Sequence, residues 1–115
     1  VAYLLNTSKN KKVFSEVIIA KTLWQRSKGL LGRASLSEDS VMWILDCNWI
    51  HTYFMQFPID AVFVDQNLIV KAIKSNILPQ RMTIPSWGSH SVFEMTSGLA
   101  EKQTIEIGDQ LYVGT

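Results

Sequence analysis

The sequence predicts a mostly β protein, a β-sandwich or a partly closed β-barrel, with one short amphipathic helix and one or two helical turns. Three observations carry that prediction. Seven or so apolar runs of strand length are separated by turn residues, which suits short strands packed in two layers or a barrel. Two of those runs, 59–64 and 68–73, flank Asp65-Gln66-Asn67 and form the clearest hairpin in the chain. Only after Thr22 does the apolar spacing lengthen from a strand period to a helical one.

Residues 3–5 are a short apolar start, and 6–10 form a turn-rich gap. Residues 13–20 then predict a strand, with Val17, Ile18 and Ile19 supplying β-branched side chains. The two pieces are expected to pair across Lys9, Lys11 and Lys12, a basic run best explained as a solvated turn tip. From Thr22, Leu23, Trp24, Ser27, Leu30 and Leu31 recur at helical spacing. Thr22 with Gln25 resembles a capping box, and Gly32 suits the far end. Gly29 weakens that helix by about 1 kcal/mol relative to Ala.

Residues 35–40 predict a polar turn, and 41–45 a strand buried on both faces. Residues 49–57 predict another strand, ended or bent by Pro58, which cannot donate to a ladder. Beyond the central hairpin, residues 75–91 hold Pro79, Pro85 and Gly88 and predict a long functional or mobile loop. A short strand over 92–95 and a helical turn over 99–102 follow. A final strand or hairpin is expected over 104–107 and 110–113, with Gly108-Asp109 as its turn.

The chain has 115 residues, 47% of them hydrophobic, and a net charge of +1. That length fits one domain, 1–115, with a core of its own. Interspersed charges argue against nucleic acid, which needs a clustered basic face. No apolar run approaches the roughly 20 residues of a transmembrane helix. The single Cys47 forms no internal disulfide. The compartment stays open: cytoplasmic, or exported where a leader preceded Val1. Oligomeric state is likewise open.

Any activity is expected in the stretch from Cys47 to Asp65. Cys47, His51 and Met55 follow the ligand order of a blue-copper loop. On a strand, however, four residues rise about 13 Å, and no histidine precedes His51. Copper is therefore disfavoured, and no metal or cofactor is assigned. A Cys47–His51 nucleophilic pair meets the same obstacle, and a buried cysteine acting as a small hydrophobe is favoured. Asp60 and Glu94 sit among apolar neighbours, where an unpaired charge is costly. Arg26 and Arg33 could pair with them in forked contacts, or His51, Asp60 and Glu94 could converge on a pocket. Trp43, Trp49, Trp87 and Tyr53 could line that pocket, pack a core or offer a sugar-binding face.

Several ordered motifs bear a resemblance. Arg26-Ser27-Lys28-Gly29-Leu30-Leu31-Gly32-Arg33 fits R-x-x-G-L-[LM]-x-R, and residues 50–65 fit I-H-T-x-x-M-x-x-P-I-D-x-x-F-x-D. Pro79 with Arg81, Phe93-Glu94, Ser97-Gly98 and Ile107-Gly108-Asp109 follow in order. Together these resemble the prokaryotic family catalogued as domain of unknown function 192, across about residues 17–113. Val41 departs from the pattern, since many members carry Gly before the Met. The resemblance implies a small β fold with an accessory helix, and no settled activity. Its signature falls on Arg26, Gly29, Arg33, His51, Thr52, Met55, Asp60, Asp65, Glu94, Gly98, Gly108 and Asp109.

Three functions follow from these residues. The first is a binding or accessory module with a polar-floored, aromatic-rimmed cleft near residues 49–60. Its ligand-contacting set is Arg33, Trp49, His51, Thr52, Asp60 and Glu94, and its partner a small molecule, a saccharide or a peptide. The second is a small hydrolase or lyase using His51 with Asp60 or Glu94. The third is a structural or interaction domain with a buried Arg–carboxylate network.

Overall fold

The computed structural model describes residues 1–21, 36–53 and 55–115. Eight strands appear among them: β1 (Tyr3–Asn6), β2 (Lys11–Phe14), β3 (Glu16–Ala20), β4 (Ser40–Ile44), β5 (Ile59–Val64), β6 (Val70–Ile77), β7 (Ser91–Thr96) and β8 (Leu111–Gly114). A 3₁₀ turn spans Thr7–Lys9, and one short helix, α1, spans Leu99–Lys102. The helix expected after Thr22, with Gly29 and both candidate arginines Arg26 and Arg33, lies outside the described residues.

The strands form a three-stranded sheet, β2-β1-β8, and a five-stranded sheet, β3-β4-β7-β5-β6, not closed into a barrel. The run expected as one strand over 13–20 divides at Ser15 between the two sheets. The amides of Ser15 and Glu16 both donate to the Asp39 carbonyl (3.1 and 3.2 Å). From there Glu16 pairs with Ser40, and β3 runs parallel to β4. Alternation does not run through that switch, since Val13 and Phe14 are both buried and Ser15 and Glu16 both exposed, but a polar pair alone does not say that the chain changes sheets.

β4, β7 and β5 are the inner strands, which explains their near-continuous burial. The expected hairpin is β5–β6, antiparallel, with Val64 opposite Val70. Its turn is fastened by Asp65, whose Oδ1 accepts the amides of Asn67 (2.9 Å) and Ile69 (3.0 Å). The strand expected over 104–107 is instead a compact return. Ile105 N–H donates to Ala100 O and Asp109 N–H to Glu106 O, with Thr104 at φ 56°.

Side chains leaving the five-stranded sheet build a core on each face. On one, Val62, Val64, Phe93 and Met95 meet Leu4, Phe14 and Leu111 of the smaller sheet, together with Leu99 and Ala100 of α1. On the other, Met42, Ile44, Ala61, Phe63 and Val92 are covered by Ile50, Met55 and Phe57 of the β4–β5 connection. The first face is closed by sheet and helix. Among the described residues, the second is covered by loops.

Candidate functional site

The connection over 45–58 and the connection over 78–90 lie edge to edge. Residues 49–57 are not a regular strand; they form one side of an irregular ribbon whose other side is 80–86. Thr52 N–H donates to Arg81 O (2.8 Å), Thr83 N–H to Ile50 O (2.9 Å), Gln80 N–H to Thr52 O (3.0 Å) and Ser86 N–H to Asn48 O (2.8 Å). Pro79 and Pro85 obscure this partner in the sequence, because proline reads as a breaker. Thr52, fully buried, is its fastener: Oγ1 donates to Leu78 O (2.6 Å) and accepts Arg81 N–H (2.9 Å).

His51 is opposite Met82 in that ribbon. The same register places Trp49 opposite Ile84, and paired side chains of an antiparallel ribbon share a face. Ile50 and Thr52 point into the protein, so Trp49, His51 and Tyr53 form an outer row. The His51 ring stacks on Tyr53 with centroids 5.2 Å apart and lies 6.2 Å from Trp49. Its Nδ1 is screened from solvent. At the end of the ribbon a turn closes from Ser89 N–H to Ser86 O (3.0 Å), and Gly88 at φ 89° lets Trp87 stand at the corner.

The two acidic candidates are not brought together. In β5 and β7, Asp60 is opposite Met95 and Ala61 opposite Glu94, so the carboxylates leave opposite faces of the sheet. Asp60 enters the face covered by α1. Its Oδ1 accepts Asn76 N–H (2.8 Å), and its Oδ2 accepts Gly98 N–H (2.9 Å) and Ala100 N–H (3.0 Å). Gly98, at φ 93°, aims its amide into that carboxylate at the start of α1. Glu94, fully buried, is opposite Met42 and Ala61 on the loop-covered face, the side on which Ile50 packs.

Trp43 also separates from the other aromatics. It stacks on Phe93 (5.3 Å, 11°) on the sheet-covered face, with Nε1 donating to Ser91 Oγ (2.9 Å). Cys47 faces an open hollow of about 300 Å³ lined by Asp46, Cys47, Asn48, Ser89 and His90. Its thiol donates to Trp49 O (2.7 Å) and its amide to His90 O (2.9 Å). No group of three or more His, Cys, Asp or Glu side chains suited to a metal ion occurs among the described residues.

Sequence reasoning named Trp49, His51 and Tyr53 as candidates without aligning them in a row, and missed the aliphatic side chains beside them, Met82 and Ile84. The signal was there: Leu78, Met82, Ile84 and Trp87 are large apolar residues in a segment expected to be a loop. A buried role for all four conflicts with that expectation.

Fold and site together define a small two-sheet β domain with a loop-built ribbon on one face. The family model described as DUF192, Uncharacterized ACR, matches residues 4–113. The chain belongs to that family. It is 30% identical over 113 residues to a UPF0127 protein of Pyrococcus horikoshii, covering 94% of this chain and 96% of the relative. A UPF0127 protein of Thermococcus sibiricus is 29% identical over 113 residues, covering 94% and 72%. Among solved structures, a protein of unknown function from Novosphingobium aromaticivorans superposes with a TM-score of 0.79 at 24% identity, covering 96% of this chain and 82% of that one. A Sinorhizobium meliloti protein named for transcription regulation gives 0.80 at 21%, covering 97% and 91%. Identities this low carry the fold alone.

Proposed function

We propose that the protein is a binding module whose recognition surface is the outer face of the 48–53/80–86 ribbon. One observation carries the proposal: Trp49, His51 and Tyr53 are held in a row with ring separations of 6.2 and 5.2 Å, on a backbone tied at several points. Rigid aromatic side chains lose little entropy on binding and offer flat apolar area beside a polar edge. A saccharide ring, a peptide segment or a planar small molecule suits that surface. Thr52 contributes by fixing the backbone between the rings, and Glu94 lies beneath the ribbon's side of the sheet. The proposed surface is a ribbon face rather than a cleft floored by both acids.

An enzyme built on His51 and Asp60 has less support, because both Asp60 oxygens already hold backbone amides. A thermal-shift panel of saccharides, peptides and metabolites tests the binding reading. A ligand that stabilises the wild type is expected to lose its effect on Trp49→Ala and Tyr53→Ala, while the ligand-free melting temperature moves by no more than about 4 °C. Equal ligand response in wild type and both variants would remove the ribbon from the binding surface.

A further inference from the structure

The aromatic row occupies one side of the ribbon; the other side, 78–90, has its own chemistry. Leu78, Met82, Ile84 and Trp87 are 46%, 58%, 78% and 82% exposed. Exposed aliphatic residues scattered singly need no explanation, but four large ones within ten positions do. They sit on a backbone pinned to 48–52, and Trp87 is at the corner of a tight turn.

Charge narrows the choice of partner. Residues 66–93 contain Lys71, Lys74 and Arg81 and no Asp or Glu, and 47–59 contain no Asp or Glu either. Lys71 is engaged with Asp65 (3.6 Å). Lys74 and Arg81 are exposed, and the Arg81 guanidinium stays at the loop through the carbonyls of Pro79 (3.4 Å) and Gln80 (3.3 Å). Both segments are thus free of acids of their own, and Asp46, which borders them, lines the hollow beside Ser89 and His90.

Size narrows it further. A stable protein interface takes roughly 20–30 residues a side, and the large exposed apolar side chains of this ribbon are Tyr53, Leu78, Met82, Ile84 and Trp87. A few apolar tips, a tryptophan among them, on a segment that carries cations and no acid of its own, match the boundary between lipid headgroups and acyl chains. We infer that residues 78–90 dock the protein on the surface of an anionic bilayer, with Trp87, Ile84 and Met82 entering the headgroup region and Arg81 and Lys74 facing lipid phosphates. No helix among the described residues is long and apolar enough to cross a membrane, and this docking needs none. The inference extends the binding reading of the ribbon and rests on it.

The intact protein is mixed with vesicles of phosphatidylcholine alone, or of equimolar phosphatidylcholine and phosphatidylglycerol, and bound protein is measured by flotation. Binding is expected on the anionic vesicles, weaker on the neutral ones and reduced by salt. Arg81→Ala is expected to weaken it about fivefold. Ile84→Asp and Trp87→Ala should each weaken it on the order of tenfold or more. These positions are exposed, so each variant is first checked for an unchanged melting temperature, and either one that folds suffices. Absence of wild-type binding to anionic vesicles, or equal binding by the folded tip variants, overturns the inference. So does a concentration-dependent dimer that Ile84→Asp dissolves, which would make the face a contact between copies. The soluble panel with Trp49→Ala is scored separately, so a failure on vesicles with a retained soluble ligand removes the bilayer and leaves the binding module.

Discussion

Asp60 accepts backbone amides from Asn76, Gly98 and Ala100 while almost wholly buried. It thereby ties the end of β6 and the start of α1 to β5. An Asn side chain keeps one acceptor oxygen and turns an NH₂ group toward a donor, leaving at least one N–H unmet beside a buried NH₂ group. Asp60→Asn is therefore expected to cost about 2–3 kcal/mol, measured as a shifted urea midpoint with unchanged slope. A change within about 0.5 kcal/mol, the range of an ordinary surface substitution, would show that the carboxylate is not a fastening. Thr52 invites a parallel test. Thr52→Val keeps the shape but removes the hydroxyl between Leu78 O and Arg81 N–H. The expected cost is about 1–3 kcal/mol, with faster amide exchange at Arg81 and Thr83 than in the inner strands.

At the scale of elements, the smaller sheet is latched where the 3₁₀ turn meets the 106–109 return. Lys9 Nζ contacts Asp109 (2.6 Å) and Glu106 (2.7 Å), while Asp109 also accepts the Asn6 amide (2.8 Å) and Glu106 N–H (2.9 Å). Burial alone would raise the Asp109 carboxyl, but the bonds from Lys9, Asn6 and the Glu106 amide together hold it below its ordinary 3.8. Such a group contributes stability that is whole above the unfolded value and lost as pH falls through the lower folded one. Lys9 is the converse. Its bond to Asp109, then that to Glu106, holds it above 10.5, so its contribution is whole below that value and lost as pH rises through the raised one. Asp109→Asn is accordingly expected to lower the urea midpoint at neutral pH, to begin approaching the wild type as pH falls below 3.8, and to converge on it only beneath the lower folded value. Parallel curves down to low pH would deny the carboxylate that role. Element legibility followed the same division between local and distant causes. The β5–β6 hairpin was readable because Asp65 makes its own turn, and β4 because an inner strand is apolar throughout. The switch at Ser15 was not, because only pairing with residues 39 and 40 creates it. Nor was the separation of Asp60 from Glu94: alternation assigns each a face, but the register between β5 and β7 decides whether the faces agree. Trp49, His51 and Tyr53 were legible as candidates but not as a row, because the partner over 80–86 that sets their common face was obscured by Pro79 and Pro85.

The whole molecule is arranged about β7, which pairs with β4 on one side and β5 on the other and sends Phe93 and Val92 into different cores. One core leans on β1, β2, β8 and α1, the other on the connections that carry the ribbon. Neither layer can leave without uncovering the shared strands, and β1 pairs with β8 across nearly the length of the chain. Such non-local pairing slows folding but couples the layers. We therefore predict a single cooperative unfolding transition over 1–115. Phe93→Ala removes a fully buried ring stacked on Trp43 and is expected to cost about 3–5 kcal/mol. With Trp24, Trp49 and Trp87 each replaced by Phe in both wild type and variant, the fluorescence comes from Trp43 and reports the centre of the sheet, while far-ultraviolet circular dichroism reports all the strands. Both signals should move to lower urea together in the variant, as a two-state unit requires. If fluorescence falls first and the strand signal persists, the two cores are separable, and the ribbon's scaffold is independent of the smaller sheet.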